Sequence, residues 1–287
     1  MERSRKFLLT LVMLWAAGTL AAQPTKVMDT DLEAGTLEAY SRYVQATEAR
    51  VKKEMARPGA FLYIDGLPSP SRMQVGRQLK RGEIFMDRLE SRDASGHAID
   101  IPDGLIHHWI GAVFIPRATL KQAIELAQDY NHHQDIYQPE VVRSKLLNHN
   151  GNDFKIFYRI RKHQVITVTL NTEHDVHYFP VDAAHEYSRS ASTRIAEVEH
   201  AGQADEREKP VGHDGGFLWR IDSWWRWEEQ DGGVYVECES VSLTRDIPTG
   251  LGWLIRPFVT SIPKESLEDT LGSTRAALLR VALARKH

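Results

Sequence analysis

Only one of the 287 residues is a cysteine, Cys238, so no disulfide can form within the chain. A chain of this length with 42% hydrophobic residues can bury a core without such a cross-link. Charge of one sign is not in excess: Lys+Arg 36 against Asp+Glu 39 give a formal net charge of -3. That balance lacks the basic surplus of a nucleic-acid binder, and no acidic tail is present. Motifs that would name a cofactor are missing too. No HExxH and no paired Cys/His spacing indicates zinc. No Gly-rich phosphate loop follows a strand, and Ser188, Ser190 and Ser192 near His185 and Glu186 make no nucleophile elbow. Neither a metal nor a cofactor is expected.

A long apolar run occurs once, at the N-terminus. Arg3, Arg5 and Lys6 precede the apolar stretch Phe7 to Ala22, which is the order of a secretory signal with cleavage near Ala21 or Ala22. The rival reading is an uncleaved anchor, but the stretch falls short of the roughly 20 residues a spanning helix needs. No cysteine lies there for lipid attachment. We therefore expect a signal peptide over 1–22 and a periplasmic or secreted mature protein without an integral membrane span. Export without disulfides fits a bacterial periplasm. Cys238 shares strand parity with Val234 and Val236 and reads as a small buried apolar residue.

Residues 23–104 read as an N-terminal extension. Leu37, Tyr40, Val44, Val51 and Met55 share one helical stripe, which predicts a helix over about 29–57 that stops at Pro58-Gly59. Arg42, Glu48 and Lys52 lie opposite, so the stripe rests on its own domain or docks on another chain. Phe61 to Ile64 and residues 79–90 read as short strands, and Pro68 to Ser71 as a turn.

From residue 105 the pattern becomes regular. Leu105 to Ile115 reads as a strand, and Pro116 opens a helix carrying Leu120, Ile124 and Ala127. Val141 to His149 is a strand. Phe154, Ile156, Tyr158 and Ile160 alternate with polar residues, as do Ile166, Val168 and Leu170, the period of half-buried antiparallel strands. Asn150-Gly151 and Asp231-Gly232 mark hairpins. Further strands are expected over 187–199, 217–229 and 234–243. A closing helix over about 264–285 puts Leu267, Leu271, Thr274, Leu278 and Val281 on one face. Hairpin strands covered by one amphipathic helix make an α+β fold.

The segments GLIHHWIGAVFIPRATL and DYNHHQDIYQPEVVRSKLL carry a family likeness, as does the closing DGGVYVECESVSLTRDIPTGLGWLIRPFVTSIPKESLEDTLGSTRAAL. Their order resembles the START and polyketide-cyclase-like superfamily (SRPBCC, Bet v 1-like), in particular its uncharacterised exported bacterial members. The resemblance covers about residues 104–285. It implies a helix-grip domain over 105–287, a curved antiparallel sheet wrapped around a long C-terminal helix. Between sheet and helix it implies a cavity for a lipid, sterol or polyketide-like molecule. It transfers no catalytic residue, so a carrier and a cyclase or dehydratase-type enzyme both stay open.

Candidates for the cavity lining are Trp109, Tyr158, Trp219, Trp225, Trp227, Leu267, Leu271 and Leu278. Trp219, Trp225 and Trp227 share a strand face with Ile221, while Trp224 points away. They fill a core or line a cavity, each burying roughly 150–250 Å². Glu237 and Glu239 also share a face. They read either as a solvent-facing stripe, the plainer case, or as a carboxylate pair with one raised pKa for general acid work. His107 and His108 point to opposite faces, whereas a turn would gather His174, Asp175 and His177. His132 and His133 read as surface or hydrogen-bonded histidines. Arg245-Asp246 reads as a local ion pair or as a clamp at the cavity mouth. Pro248, Gly250 and Gly252 turn the chain into the last helix.

Overall fold

The computed structural model describes residues 28–163, 166–247 and 261–284. The expected signal segment 1–22 and the turn carrying Pro248, Gly250 and Gly252 lie outside them. The chain runs β1 (Thr30–Asp31), α1 (Ala34–Met55), a short 3-10 helix (Tyr63–Gly66), α2 (Ser69–Lys80), β2 (Phe85–Arg88) and β3 (Gly104–Pro116). After β3 come α3 (Leu120–Gln128), α4 (His133–Ile136), β4 (Val141–Asn150), β5 (Asp153–His163), β6 (Thr167–Pro180) and β7 (His185–Glu199). The remainder is β8 (Arg207–Glu208), β9 (His213–Asp214), β10 (Arg220–Gln230), β11 (Gly233–Arg245) and α5 (Ile262–Ala284).

Period-two alternation becomes one antiparallel sheet in the order β2-β3-β11-β10-β7-β6-β5-β4, with β8 on β7. Two hairpins turn on residues that reach the left-handed region, Gly151 (φ 60) and the pair Asp231 (φ 58) and Gly232 (φ 74). After β3 the chain crosses through α3 and α4 to the far edge. It then returns strand by strand until β11 pairs with β3. Thr119 caps α3: its hydroxyl accepts from the Gln122 amide at 3.3 Å, and Gln122 accepts from the Thr119 amide at 3.0 Å.

Over β3, β11 and β10 both faces of the sheet are covered. On one face Val113, Ile115, Val234, Val236 and Trp227 form a core with Leu267, Leu271 and Leu278 of α5. On the other, Ala112, Phe114, Tyr235, Val241 and Leu243 pack against Tyr40, Tyr43, Val44 and Val51 of α1 and Leu79 of α2. The N-terminal extension is therefore a third layer, and the stripe on α1 rests on its own sheet. Close approach of α5 depends on Gly111 of β3, where an added Cβ would lie 2.6 Å from Leu271 Cδ1.

Several local expectations are corrected. Phe61 to Ile64 is no strand, because Asp65 accepts the Phe61 and Leu62 amides and winds the chain into the 3-10 helix. Pro68 to Ser71 starts α2, with prolines where a helix tolerates them, and only Phe85–Arg88 of 79–90 is extended. Pro116 ends β3, and the helix begins after Thr119. On α5 the buried face is Leu267, Leu271, Thr274, Ala277 and Leu278, leaving Val281 exposed.

Candidate functional site

Between the sheet and helices α3, α4 and α5 lies a cavity of about 310 Å³. Small side chains make the room for it. Ser190 of β7, Ser223 of β10 and Ser240 of β11 sit directly opposite one another, and Trp109 of β3 continues their row. The next row is Ser188, Trp225, Cys238 and Gly111. With Ser242 of β11 these serines form a floor of hydroxyls in a largely apolar cavity.

The walls are aromatic. Trp225 and Trp227 stack at 5.8 Å, and Tyr178 stacks on Trp227 at 6.0 Å. His133 of α4 lies parallel to Tyr158 of β5 at 5.9 Å, and His174 of β6 meets Tyr158 edge-on at 5.9 Å. Most polar atoms of this wall are tied to the protein. His133 Nε2 donates to the Leu126 carbonyl at 3.2 Å, so its Nδ1 accepts from the Tyr158 hydroxyl at 2.6 Å. The Tyr178 hydroxyl donates to the Ala127 carbonyl at 3.2 Å and accepts from Tyr130 at 2.8 Å. Thr274 donates to the Thr270 carbonyl, so Tyr137 donates to Thr274 at 3.1 Å.

The histidines are neutral. Burial pushes His133 and His174 down to about 4, and burial together with the charge of Arg88 does the same to His107. Burial raises the tyrosines, Tyr137 to about 12 and Tyr158 well above its ordinary range. Among the described residues Lys162 is the one Lys or Arg side chain on the lining. It is ion-paired with Glu140, and burial pulls it down to about 8 although Asp269 and Glu265 are near.

Trp109, Tyr158, Trp225, Trp227 and Leu267 thus lie on the cavity lining. Leu271 and Leu278 are fully buried in the packed core beneath α5 instead. Trp219 sits on the opposite face of the sheet, where its indole donates to Asp214 at 3.1 Å. Strand alternation does not extend to it, because β10 begins one residue later. The serine floor and the His133, Tyr130, Tyr137 and Tyr178 wall were missed. The signal for the floor was legible, since Ser188/Ser190 and Ser240/Ser242 alternate in phase with Cys238 and the cavity tryptophans.

Glu237 and Glu239 are the larger surprise. Each is 1% exposed, so they are no solvent stripe, and they point away from the cavity into the layer beneath α1. Arg226 of β10, fully buried, lies 3.2 Å from Glu237, 3.2 Å from Glu54 of α1 and 3.5 Å from Glu239. Both Glu237 oxygens accept the Tyr63 amide at 3.0 Å. His108 donates to Glu239 at 2.7 Å and its other ring nitrogen bonds to the Tyr43 hydroxyl at 2.9 Å, while Arg50 pairs with Glu239. Burial pushes Glu237 up to about 7. Burial would raise Glu239, but the hydrogen bond from His108 and the charges of Arg50, His108 and Arg226 outweigh it and hold the carboxyl low. This network pins the N-terminal layer to the sheet.

The remaining candidates separate. His174, Asp175 and His177 lie inside β6 and not at a turn, so His177 bonds to Asp153 at 2.5 Å across the strands. His132 pairs at the surface with Asp129. No group of metal-binding side chains occurs among the described residues. Arg245 makes no pair with Asp246; its guanidinium donates to the Met28 carbonyl at 2.7 Å, just before β1.

No protein-family model matches the chain, and no curated protein matches it. Several solved structures are similar at low identity. A STAR-related lipid transfer protein from Xanthomonas axonopodis gives a TM-score of 0.44 at 14% identity, over 67% of this chain and 98% of its own. Human STARD10 gives 0.41 at 9% identity, over 77% of this chain and 84% of its own. The Zhui aromatase/cyclase of Streptomyces gives 0.35 at 14% identity, over 63% and 93%. The order and packing of the chain's own elements, an antiparallel sheet whose first and last long strands pair beneath a C-terminal helix, make this a helix-grip fold.

Proposed function

We propose that the chain binds an apolar small molecule in the cavity beneath α5 and acts as a binding or carrier protein. The observation that carries this reading is an aromatic-walled space of about 310 Å³ with a hydroxyl floor and no unpaired charge on its described lining. Binding is favoured over catalysis by where the carboxylates lie. Glu237 and Glu239, the candidate acids of a cyclase or dehydratase, sit behind the sheet, and Glu140 on the lining is held by Lys162. The apolar N-terminal stretch supports export, so the proposal includes a periplasmic or secreted location; the mass of the mature chain tests that.

Titration with the neutral dye Nile red tests the binding reading. Saturable binding with quenching of tryptophan fluorescence is expected, weakened about tenfold or more by Trp225→Ala, which removes a stacked wall element. Absence of saturable binding, together with no small molecule extracted from protein purified from its native host, would sink the proposal.

A further inference from the structure

The hydrogen atoms on the cavity wall can be followed one by one, and they leave a pattern. A carbonyl only accepts, so each contact to one fixes the direction of the next. Tyr158 spends its proton on His133, Tyr130 on Tyr178, Tyr178 on the Ala127 carbonyl and Tyr137 on Thr274. The Thr172 hydroxyl donates to the Tyr158 carbonyl at 3.3 Å, so His174 Nε2 donates to Thr172 at 3.0 Å. That leaves Nδ1 of the neutral His174 ring as an acceptor without a partner among the described residues. His107 repeats the arrangement: Thr244 donates to the Arg245 carbonyl, His107 Nε2 donates to Thr244 at 3.0 Å, and Nδ1 remains an acceptor.

The side chains of Tyr158, His133 and His174 therefore offer the cavity lone pairs and no protons. Their focus is Tyr158 Oη and His174 Nδ1, on rings 5.9 Å apart. The floor differs. The hydroxyls of Ser188, Ser190, Ser223, Ser240 and Ser242 have no side-chain partner among the described residues and can donate or accept. The indole N–H groups of Trp109 and Trp225 likewise lack a partner there and can only donate.

We infer that the ligand is an uncharged, hydroxyl-bearing apolar molecule whose O–H donates to Tyr158 and His174, with any carbonyl or further hydroxyl turned to the serine floor. This rests on the binding reading above and names the ligand chemistry within it. A carboxylate or phosphate fits poorly for two reasons. It would bring lone pairs against the lone pairs of the wall, and Lys162, the one Lys or Arg side chain on the described lining, is already paired with Glu140. An ether or hydrocarbon of the same shape would displace water from the wall acceptors and return nothing to them.

Three matched fluorescent probes test this on the unaltered protein: pyrenemethanol, its methyl ether and pyrenecarboxylate. We expect the alcohol to bind about tenfold or more tightly than either of the others, the penalty of an unmet buried acceptor. His174→Phe, which keeps a ring and removes the acceptor, is expected to shrink that preference to about threefold or less. Tyr158→Phe serves as the second variant should His174→Phe misfold. Equal binding of all three probes, or tightest binding of the carboxylate, overturns the inference and leaves the cavity a ligand site. Failure of all three to bind overturns the ligand-site reading and the inference with it.

Discussion

Leu271 of α5 lies directly over Gly111 of β3, and a Cβ at 111 would come within 2.6 Å of Leu271 Cδ1 and 2.5 Å of Met86 Sδ. The height of α5 above the sheet is set by a missing side chain. We predict that Gly111→Ala destabilises the fold by about 1–3 kcal/mol, the range for overpacking a filled core, and weakens probe binding because it lifts the helix. Gly272→Ala is the contrast: its Cβ would meet only Ile84 at 3.5 Å, so it is expected to stabilise α5 by about 0.5–1 kcal/mol. Urea unfolding of both variants reads the two signs.

Arg226 holds three acidic side chains in a place with almost no water. Arg226→Met removes the cation and leaves Glu54, Glu237 and Glu239 facing one another. A loss of about 3–5 kcal/mol is expected, as for breaking a buried pair from one side. The further change to Gln at Glu237 and Glu239 should restore part of it, which urea midpoints would show.

Stability should rise with pH and then fall slightly. His107, His133 and His174 stay neutral in the fold down to about 4 against an ordinary value of 6.5. Between those values the unfolded chain binds protons the folded chain does not, so stability is lost as pH falls from about 6.5 to 4. Glu237, raised from 4.5 to about 7, and Asp214, raised from 3.8 to about 6, act in the opposite sense. Their contribution is complete below the unfolded values and is lost as pH climbs through the folded ones. Three groups against two give a net rise up to about pH 6.5, and above it Glu237, joined by His132, His185 and His213, whose acidic partners hold them above the ordinary value, gives a shallow decline. Glu237→Gln should reduce the decline, and His174→Phe should make the acid limb shallower.

Removing residues 24–60 tests the third layer. It would uncover Arg226, Glu239 and His108 together with Phe114, Val241 and Leu243. We expect aggregated or unfolded protein by light scattering and circular dichroism. A folded monomer would mean that α1 is an accessory.

The sequence displayed the strands well because alternation and Asn-Gly or Asp-Gly turns are local signals. It hid the N-terminal layer for a physical reason: Pro68 and Pro70 suit a helix start as well as a turn, and only packing decides between them. The burial of Glu237 and Glu239 also depended on a partner far along the chain. One clue to it was present. β3 is apolar at Ile106, Ile110, Ala112 and Phe114 on one face and at Trp109, Val113 and Ile115 on the other, the mark of a strand covered from both sides. Of the cavity, strand parity located Trp109, Tyr158, Trp225 and Trp227. It failed at Trp219, one residue before the strand begins.

The pairing of β3 with β11 has a consequence for how the protein is made. β3 emerges early and is greasy on both sides, yet its long neighbour is the last strand synthesised among the described residues. Until that stretch arrives, β3 has only the four residues of β2 to lie beside, so the sheet cannot be closed piecemeal from the front. A chain cut short before β11 keeps an open seam, and such fragments are fated for proteolysis or for sticking to one another.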